Sequence, residues 1–281
     1  MNELPIDKIK QNLKDIISKK ELELLPKKWE KIGEVGIIKL DKNLKEYSEL
    51  IGKTYSDILD CKSILNDTGG IVGEYRQPQV TFIFGEKNTE TIHKENEIKY
   101  KIDPQKTMFS SGNMNERIRM ANISNENEIV VDLFAGIGYF SLPIAVHSKP
   151  KKVYALEKNP IAYDFLKQNI SLNKVNDIIE PMLGDNREIA PKNIADRVIM
   201  GYFGNTKDFL ETAIKCLKNN CGIIHYHDKF SQKDIPDKAF DQVKKITANL
   251  NIKAKLIKIN KVKSFAPGIN HYVLDVKIDE L

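Results

Sequence analysis

The 281-residue sequence predicts an α/β protein, a doubly wound and mostly parallel sheet preceded by a small N-terminal α+β domain. Three observations predict it. Apolar strand-like runs alternate with helix-length segments from Ile129 onward, the order that builds a parallel sheet. The run VVDLFAGIGYF, Val130 to Phe140, ends a strand in a glycine turn and opens a helix. Glu157 closes the next strand about twenty residues beyond the glycines, where such folds place an acid.

The elements follow in order. Residues up to about Leu25 predict an amphipathic helix, with Ile9, Leu13, Ile16 and Ile17 at helical spacing and lysines between them. From Trp29 to about Asp103 the pattern changes to strands and turns: EVGIIKL, a helical stretch from Asn43 to Ile51, SILNDTGGIVGEYRQPQVTFIFG and ENEIKYKID. Pro104 and the polar residues after it mark the boundary, giving domains 1–104 and 105–281. A helix from Asn115 to Ala121 then precedes the first strand of the larger domain. Helices are expected at Tyr139–Val146 and Ile161–Leu172, with strands KVYALEKNP and IIEPML between and after them. ADRVIMGYF reads as the fourth strand, DFLETAIKCL as its helix and GIIHYHDKF as the fifth strand. After a helix from Pro236 to Leu250, KAKLIKINKVKSF and NHYVLDVKI form a terminal pair joined by APGI, one of them antiparallel.

Composition narrows the class. Apolar residues make up 41% of the chain, enough for a substantial core. Cys61, Cys216 and Cys221 form no C-x-x-C pair, which argues against a zinc site and a disulfide framework and for a reducing cytoplasm. No segment has the sequence of a signal peptide or the roughly 20 apolar residues of a membrane span. The net charge of +5 suits a polyanionic partner without demanding one. Nothing in the sequence implies a protein partner.

The candidate site lies at three successive strand ends: Asp132, Phe134, Gly136 and Gly138 after the first, Glu157 and Lys158 after the second, Asp185 and Asn186 after the third. A nucleoside fits there, its ribose on Glu157 and its adenine on Asp185 and Asn186. Taken singly, Glu157 also reads as a helix-capping acid and Asp185-Asn186 as an Asx turn. Ser141 replaces the third glycine of the dinucleotide fingerprint, and Asp132 would repel a pyrophosphate at the helix N-terminus. A cationic ligand fits better. The set resembles the S-adenosylmethionine-dependent transferases of the Rossmann-like, class I methyltransferase type, which implies that cofactor.

The fourth strand ends in Gly201-Tyr202-Phe203, read either as rim aromatics or as a wall for stacking a base. His225 and His227 share a strand face, but no third metal ligand is evident, so no metal is expected; His227 remains a candidate substrate contact.

DLFAGIGYFSLPIA, FSSGNMNERIRM, WEKIGEVGIIKL with GEYRQPQV, and VKSFAPGINHYVLDV together resemble the family of archaeal and eukaryotic tRNA guanosine N1-methyltransferases and wyosine-synthesis transferases. The resemblance spans nearly the whole chain. It implies a small tRNA-contacting domain before the catalytic one, with lysines such as Lys27, Lys28 and Lys31 supplying charge to the phosphates, and action on the purine 3′ of the anticodon. The methyltransferases usually carry Ser-Pro-Arg where this chain has Ser111-Gly112-Asn113, and Asn-Leu-Pro-like residues at Gly201-Tyr202-Phe203. Both departures disfavour N1 methylation. GYFGNT resembles instead the aminocarboxypropyltransferases, which implies transfer of the cofactor's 3-amino-3-carboxypropyl arm to carbon 7 of 4-demethylwyosine, with release of methylthioadenosine. N1 methylation of guanosine is the alternative activity, and a non-catalytic tRNA-binding protein the alternative class. Ser110 and Arg117 are candidates for holding the arm, Arg117 through its planar fork; Arg117 also reads as an exposed helix arginine paired with a neighbouring acid. No catalytic base is assigned, because positioning two reactants accounts for most of the expected catalysis.

Overall fold

The computed structural model describes residues 3–280. Two compact units emerge, one comprising residues up to Lys94 with Lys99–Ser111, the other Glu95–Ile98 with everything from Gly112 onward.

In the first unit, helix α1 (Pro5–Leu13) starts with proline in its first turn, where the missing N–H costs nothing. The expected continuous helix to Leu25 is broken. Ser18 accepts the Glu21 N–H and the Glu21 carboxylate accepts the Ser18 N–H, a capping box that opens a separate turn, α2 (Lys19–Leu22). The break rotates the face: Ile17 is buried, whereas Ile16 is 57% exposed. Strands β1 (Trp29–Ile32) and β2 (Val35–Ile38) lead through a 3₁₀ turn, Lys42–Tyr47, into α3 (Ser48–Leu59), longer than the sequence pattern predicts. Asp60, at φ 53, ends it. β3 (Ser63–Val72) and β4 (Gln77–Gly85) complete a sheet ordered β1-β2-β3-β4, parallel only between β2 and β3. Its core gathers Ile9, Leu13, Ile38, Ile51, Tyr55 and Ile64. A separate hairpin, β5 (Thr91–Glu95) and β6 (Ile98–Ile102), includes one strand that the sequence pattern did not mark.

The second unit begins with α4 (Met114–Met120), then β7 (Ile129–Asp132) and α5 (Ser141–Pro143), which runs into a π-helical turn, Ile144–Ser148. β8 (Lys152–Glu157), α6 (Pro160–Leu172), β9 (Ile179–Leu183) and α7 (Asn186–Ile189) follow. Next come β10 (Arg197–Met200), α8 (Leu210–Cys216), β11 (Gly222–Ser231), α9 (Asp237–Asn249) and the long pair β12 (Ile252–Ala266) and β13 (Ile269–Glu280). The seven strands are ordered β12-β13-β11-β10-β7-β8-β9. Every neighbour pair is parallel except those of β13, which is antiparallel to both β11 and β12. The expected sheet and its antiparallel strand are present.

The central strands bury both faces, as covered parallel strands must; Val130, Val131, Val198, Ile199 and Met200 are all fully buried. Each such side chain contributes roughly 1.5–3 kcal/mol by leaving water. The strand order reverses between β7 and β10, where Ile199 pairs with Asp132. A crevice at the carboxyl ends of these strands is where open α/β sheets bind ligands.

Candidate active site

The loop after β7 is built by its glycines. Gly136 and Gly138 have φ of 57° and 104°, values that favour glycine. A Cβ at Gly136 would lie 2.4 Å from the Tyr139 ring, and one at Gly138 2.6 Å from Leu142. Within this turn Asp132 is fully buried: Ser141 Oγ donates to it at 2.7 Å and the Phe134 N–H at 3.2 Å. Burial pushes its carboxyl up to about 6, against the pull of those donors. Asp132 therefore ties the strand to the following helix and presents no oxygen to a ligand, contrary to the reading that made it a cofactor contact.

Glu157 is placed differently. One oxygen accepts the Gly136 N–H and the other the Asn159 N–H, both at 2.7 Å. The Lys158 N–H also bears on it, so of the roughly four acceptor sites of a carboxylate about one stays open to a hydroxyl donor. Burial raises its pKa while those backbone donors lower it. Asn186 Nδ2 donates to the Leu133 carbonyl at 2.8 Å, and its buried Oδ1 has no hydrogen-bond partner. An orphaned acceptor beside the glycine turn fits an amino group such as that of adenine. Asp185 caps the Arg187 N–H and pairs with the Arg187 guanidinium at 2.5 Å and Lys158 Nζ at 3.0 Å. The Arg187 hydrogen bond is the main reason its carboxyl stays well below the usual range. Lys158 thus reaches the third strand end through Asp185.

Aromatic rings cover the neighbouring ground. Phe134 stacks on Tyr202 at 4.9 Å and 13°, with Phe209 edge-on to both. Phe203 packs edge-on against His271 at 4.3 Å, and His227 Nδ1 meets His271 Nε2 at 3.2 Å. The other nitrogen of each ring, His227 Nε2 and His271 Nδ1, is buried without a hydrogen bond. Burial keeps both imidazoles neutral, His227 well below its ordinary value and His271 at about 3. His225 shares the strand face of His227 yet joins Asp275 at 2.6 Å and Arg197 at 2.8 Å. Among the described residues no cluster suited to a metal ion is present.

Two candidates are placed where the sequence did not expect them. Arg117 is not an exposed helix arginine: it is 2% exposed and its fork is held by both oxygens of Glu95 at 2.6 Å. Its guanidinium is committed to the hairpin tip, so it positions α4 and no longer serves as the carboxylate ligand of the cofactor arm. Ser110 is a half-buried residue of the first unit and is not among the groups that the second unit brings together. Lys31 is also occupied, donating to the carbonyls of Leu59 and Asp60 at 2.7 and 2.8 Å. The sequence reading missed Ser141, Phe209 and His271. Only Ser141 had a local signal, its place at the third position of the glycine motif.

A Rossmann-like sheet with a glycine turn, an acid at the second strand end and an orphaned amide oxygen at the third is the framework of the adenosyl-cofactor transferases. Family comparison agrees: residues 91–257 match the TRM5/TYW2 methyltransferase domain and residues 9–89 the TYW2 N-terminal domain. The chain belongs to the TRM5/TYW2 family. It is 46% identical over 254 residues, 90% of this chain and 99% of the relative, to the tRNA(Phe) (4-demethylwyosine(37)-C(7)) aminocarboxypropyltransferase of Methanocaldococcus jannaschii. Its fold superposes on the P. horikoshii TYW2 in complex with MeSAdo with a TM-score of 0.88, at 38% identity, over 98% of this chain and 100% of that one. The M. jannaschii TYW2 in complex with AdoMet gives 0.75 at 40% identity, over 90% and 100%.

Proposed function

We propose that this chain is an S-adenosylmethionine-dependent tRNA aminocarboxypropyltransferase. It transfers the 3-amino-3-carboxypropyl group to carbon 7 of 4-demethylwyosine, at the purine 3′ of the anticodon, and releases methylthioadenosine. The observation that carries this reading is the 46% identity to an enzyme of that name across 99% of its length. GYFGNT after β10, where an N1-methyltransferase usually has an Asn-Leu-Pro-like run, supports the same choice.

When bound, the cofactor supplies a sulfonium whose three attached carbons are electrophilic, so the product depends on which carbon faces the acceptor. In this reading Glu157 accepts from a ribose hydroxyl and Asn186 Oδ1 from the adenine amino group. Phe134, Gly136 and Gly138 shape the turn against the nucleoside, while Lys158 holds Asp185 in place. Tyr202, Phe203 and His227 face the acceptor base, an electron-rich tricycle that needs no strong base to attack and whose C7 proton passes to solvent afterwards, so the contribution of these residues is orientation. The N-terminal domain, 1–104, contacts the tRNA body. The cytoplasm is the proposed setting, consistent with Cys61, Cys216 and Cys221 all being free thiols.

The test is mass spectrometry after incubation with S-adenosylmethionine and tRNA carrying either guanosine or 4-demethylwyosine beside the anticodon. Methylthioadenosine with an aminocarboxypropyl gain on the tricycle is expected. S-adenosylhomocysteine with a methyl gain on guanosine would replace this reading with N1 methylation.

A further inference from the structure

Strands β11, β13 and β12 run on past the parallel part of the sheet. β10 stops at Met200, opposite Tyr226, whereas β11 continues to Ser231, opposite Ile269. At about 3.3 Å per residue this tongue extends roughly 16 Å beyond the last parallel pair, on the edge where the candidate site lies. Its tip holds an open cleft of about 370 Å³, lined among others by Gln232, Lys261, Phe265 and Asn270.

The chemistry of the cleft is one-sided. Lys261 is its charged lining residue, and no carboxylate lines it. Phe265 is 55% exposed, and Lys229 Nζ lies 4.4 Å from its ring centroid. Behind it, β12 carries five lysines and no acid, so its positive charge is not neutralised within the strand. Lysines on an edge strand also block pairing with other sheets, which is sufficient reason for Lys253 and Lys255 at the far end. It does not account for an exposed aromatic ring inside a cation-lined cleft. An aromatic ring flanked by lysines and amides is the surface that unpaired nucleotides use, stacking on the ring while cations meet the phosphate. The volume, about 370 Å³, suits a group the size of a single nucleotide.

We infer that this cleft binds an unpaired nucleotide of the substrate tRNA next to the modified purine. Its base stacks on Phe265, Lys261 and Lys229 meet its phosphate, and the amides of Gln232 and Asn270 supply hydrogen bonds. The inference rests on the proposed tRNA-modifying activity and adds to it a site that grips the strand beside the target.

The experiment compares Phe265→Ala, Lys261→Ala and, as a control away from the cleft, Lys253→Ala in the full chain. tRNA Kd, KM and kcat are measured together with S-adenosylmethionine binding by calorimetry. Phe265→Ala should raise the tRNA Kd and KM about tenfold with kcat within about twofold, as loss of one base stack predicts. Lys261→Ala should reduce the salt slope of tRNA binding by about one. Cofactor affinity should stay at the wild-type value, which also reports intact folding. Wild-type Kd and KM in both cleft variants would overturn the inference. Ultraviolet crosslinking of the unsubstituted protein to 4-thiouridine tRNA gives an independent answer: crosslinks within Lys261–Asn270 support the site, and crosslinks confined elsewhere overturn it. Failure of the unsubstituted protein to modify any tRNA would instead count against the activity itself.

Discussion

Asp132 is a carboxylate used for architecture, and the consequence is a measurable pH dependence. Its donors, the Ser141 Oγ and N–H and the Phe134 N–H, belong to the turn it closes, and burial raises its pKa from 3.8 to about 6. A raised folded-state pKa means that between about pH 4 and 6 the native protein keeps a proton that the unfolded chain has released. Stability contributed by this group therefore falls as pH rises through that window and levels off above it. A rise from 3.8 to about 6 corresponds to roughly 3 kcal/mol. In Asp132→Asn the amide oxygen still accepts from Ser141 and carries no charge to bury. Urea denaturation should show the variant gaining on the wild type by up to about 3 kcal/mol from pH 4 to pH 6, with a constant difference above. A difference independent of pH would remove the buried carboxylate from this account. At this scale the sequence located the strand ends, because a glycine turn and the spacing to Glu157 are local features. It did not reveal which atoms were already satisfied. Asp132 pairs with Ser141 inside its own turn, Arg117 with Glu95 on a hairpin, and Asn186 keeps an open oxygen only because its nitrogen reaches Leu133.

Among the elements, α4 is fixed to the sheet by a chain of charge. Arg119 joins Glu116 on its own helix and Asp275 on β13, both at 2.7 Å. Asp275 also meets His225 on β11, and His225 meets Arg197. Burial alone would raise the Asp275 carboxyl, yet hydrogen bonds from His225 and the nearby Arg119 hold it below its ordinary value. Asp275→Ala would leave a guanidinium and an imidazole without their shared acceptor, at a cost of about 3–5 kcal/mol. The checking measurement is the unfolding free energy in denaturant; a loss under about 1 kcal/mol would show that the network is dispensable. Long periodic segments were legible beforehand: α6, α9 and the β12–β13 pair fall within a residue or two of their sequence patterns. Two features of the N-terminal part were not. β5 has only five residues, and the N-terminal helix is interrupted by the Ser18 capping box, whose hydrogen bonds outweigh the continuous apolar spacing.

For the whole molecule, the fold class followed from alternation of strands and helices, and the seven-strand order with one antiparallel member is its direct expression. Partner chemistry is a property of the same scale, since it depends on charge summed over the surface. Lys and Arg number 44 against 39 Asp and Glu, a modest excess that is unevenly distributed, with the lysines of β12 one concentration of it. A polyanion such as tRNA displaces counterions when such lysines approach its phosphates, whereas a small cofactor with a single sulfonium does not. The two affinities should therefore respond differently to salt. With about six phosphate contacts, tRNA affinity should fall on the order of a thousandfold between 50 and 200 mM monovalent salt. Over the same range S-adenosylmethionine affinity should change by no more than about twofold, because its proposed contacts, Glu157 and Asn186, are short-range hydrogen bonds. Titrations of one preparation at several salt concentrations, by filter binding for tRNA and calorimetry for the cofactor, separate the two. Parallel slopes would mean that salt acts on the protein itself, and a flat tRNA response would mean that base stacking, not phosphate charge, dominates its binding.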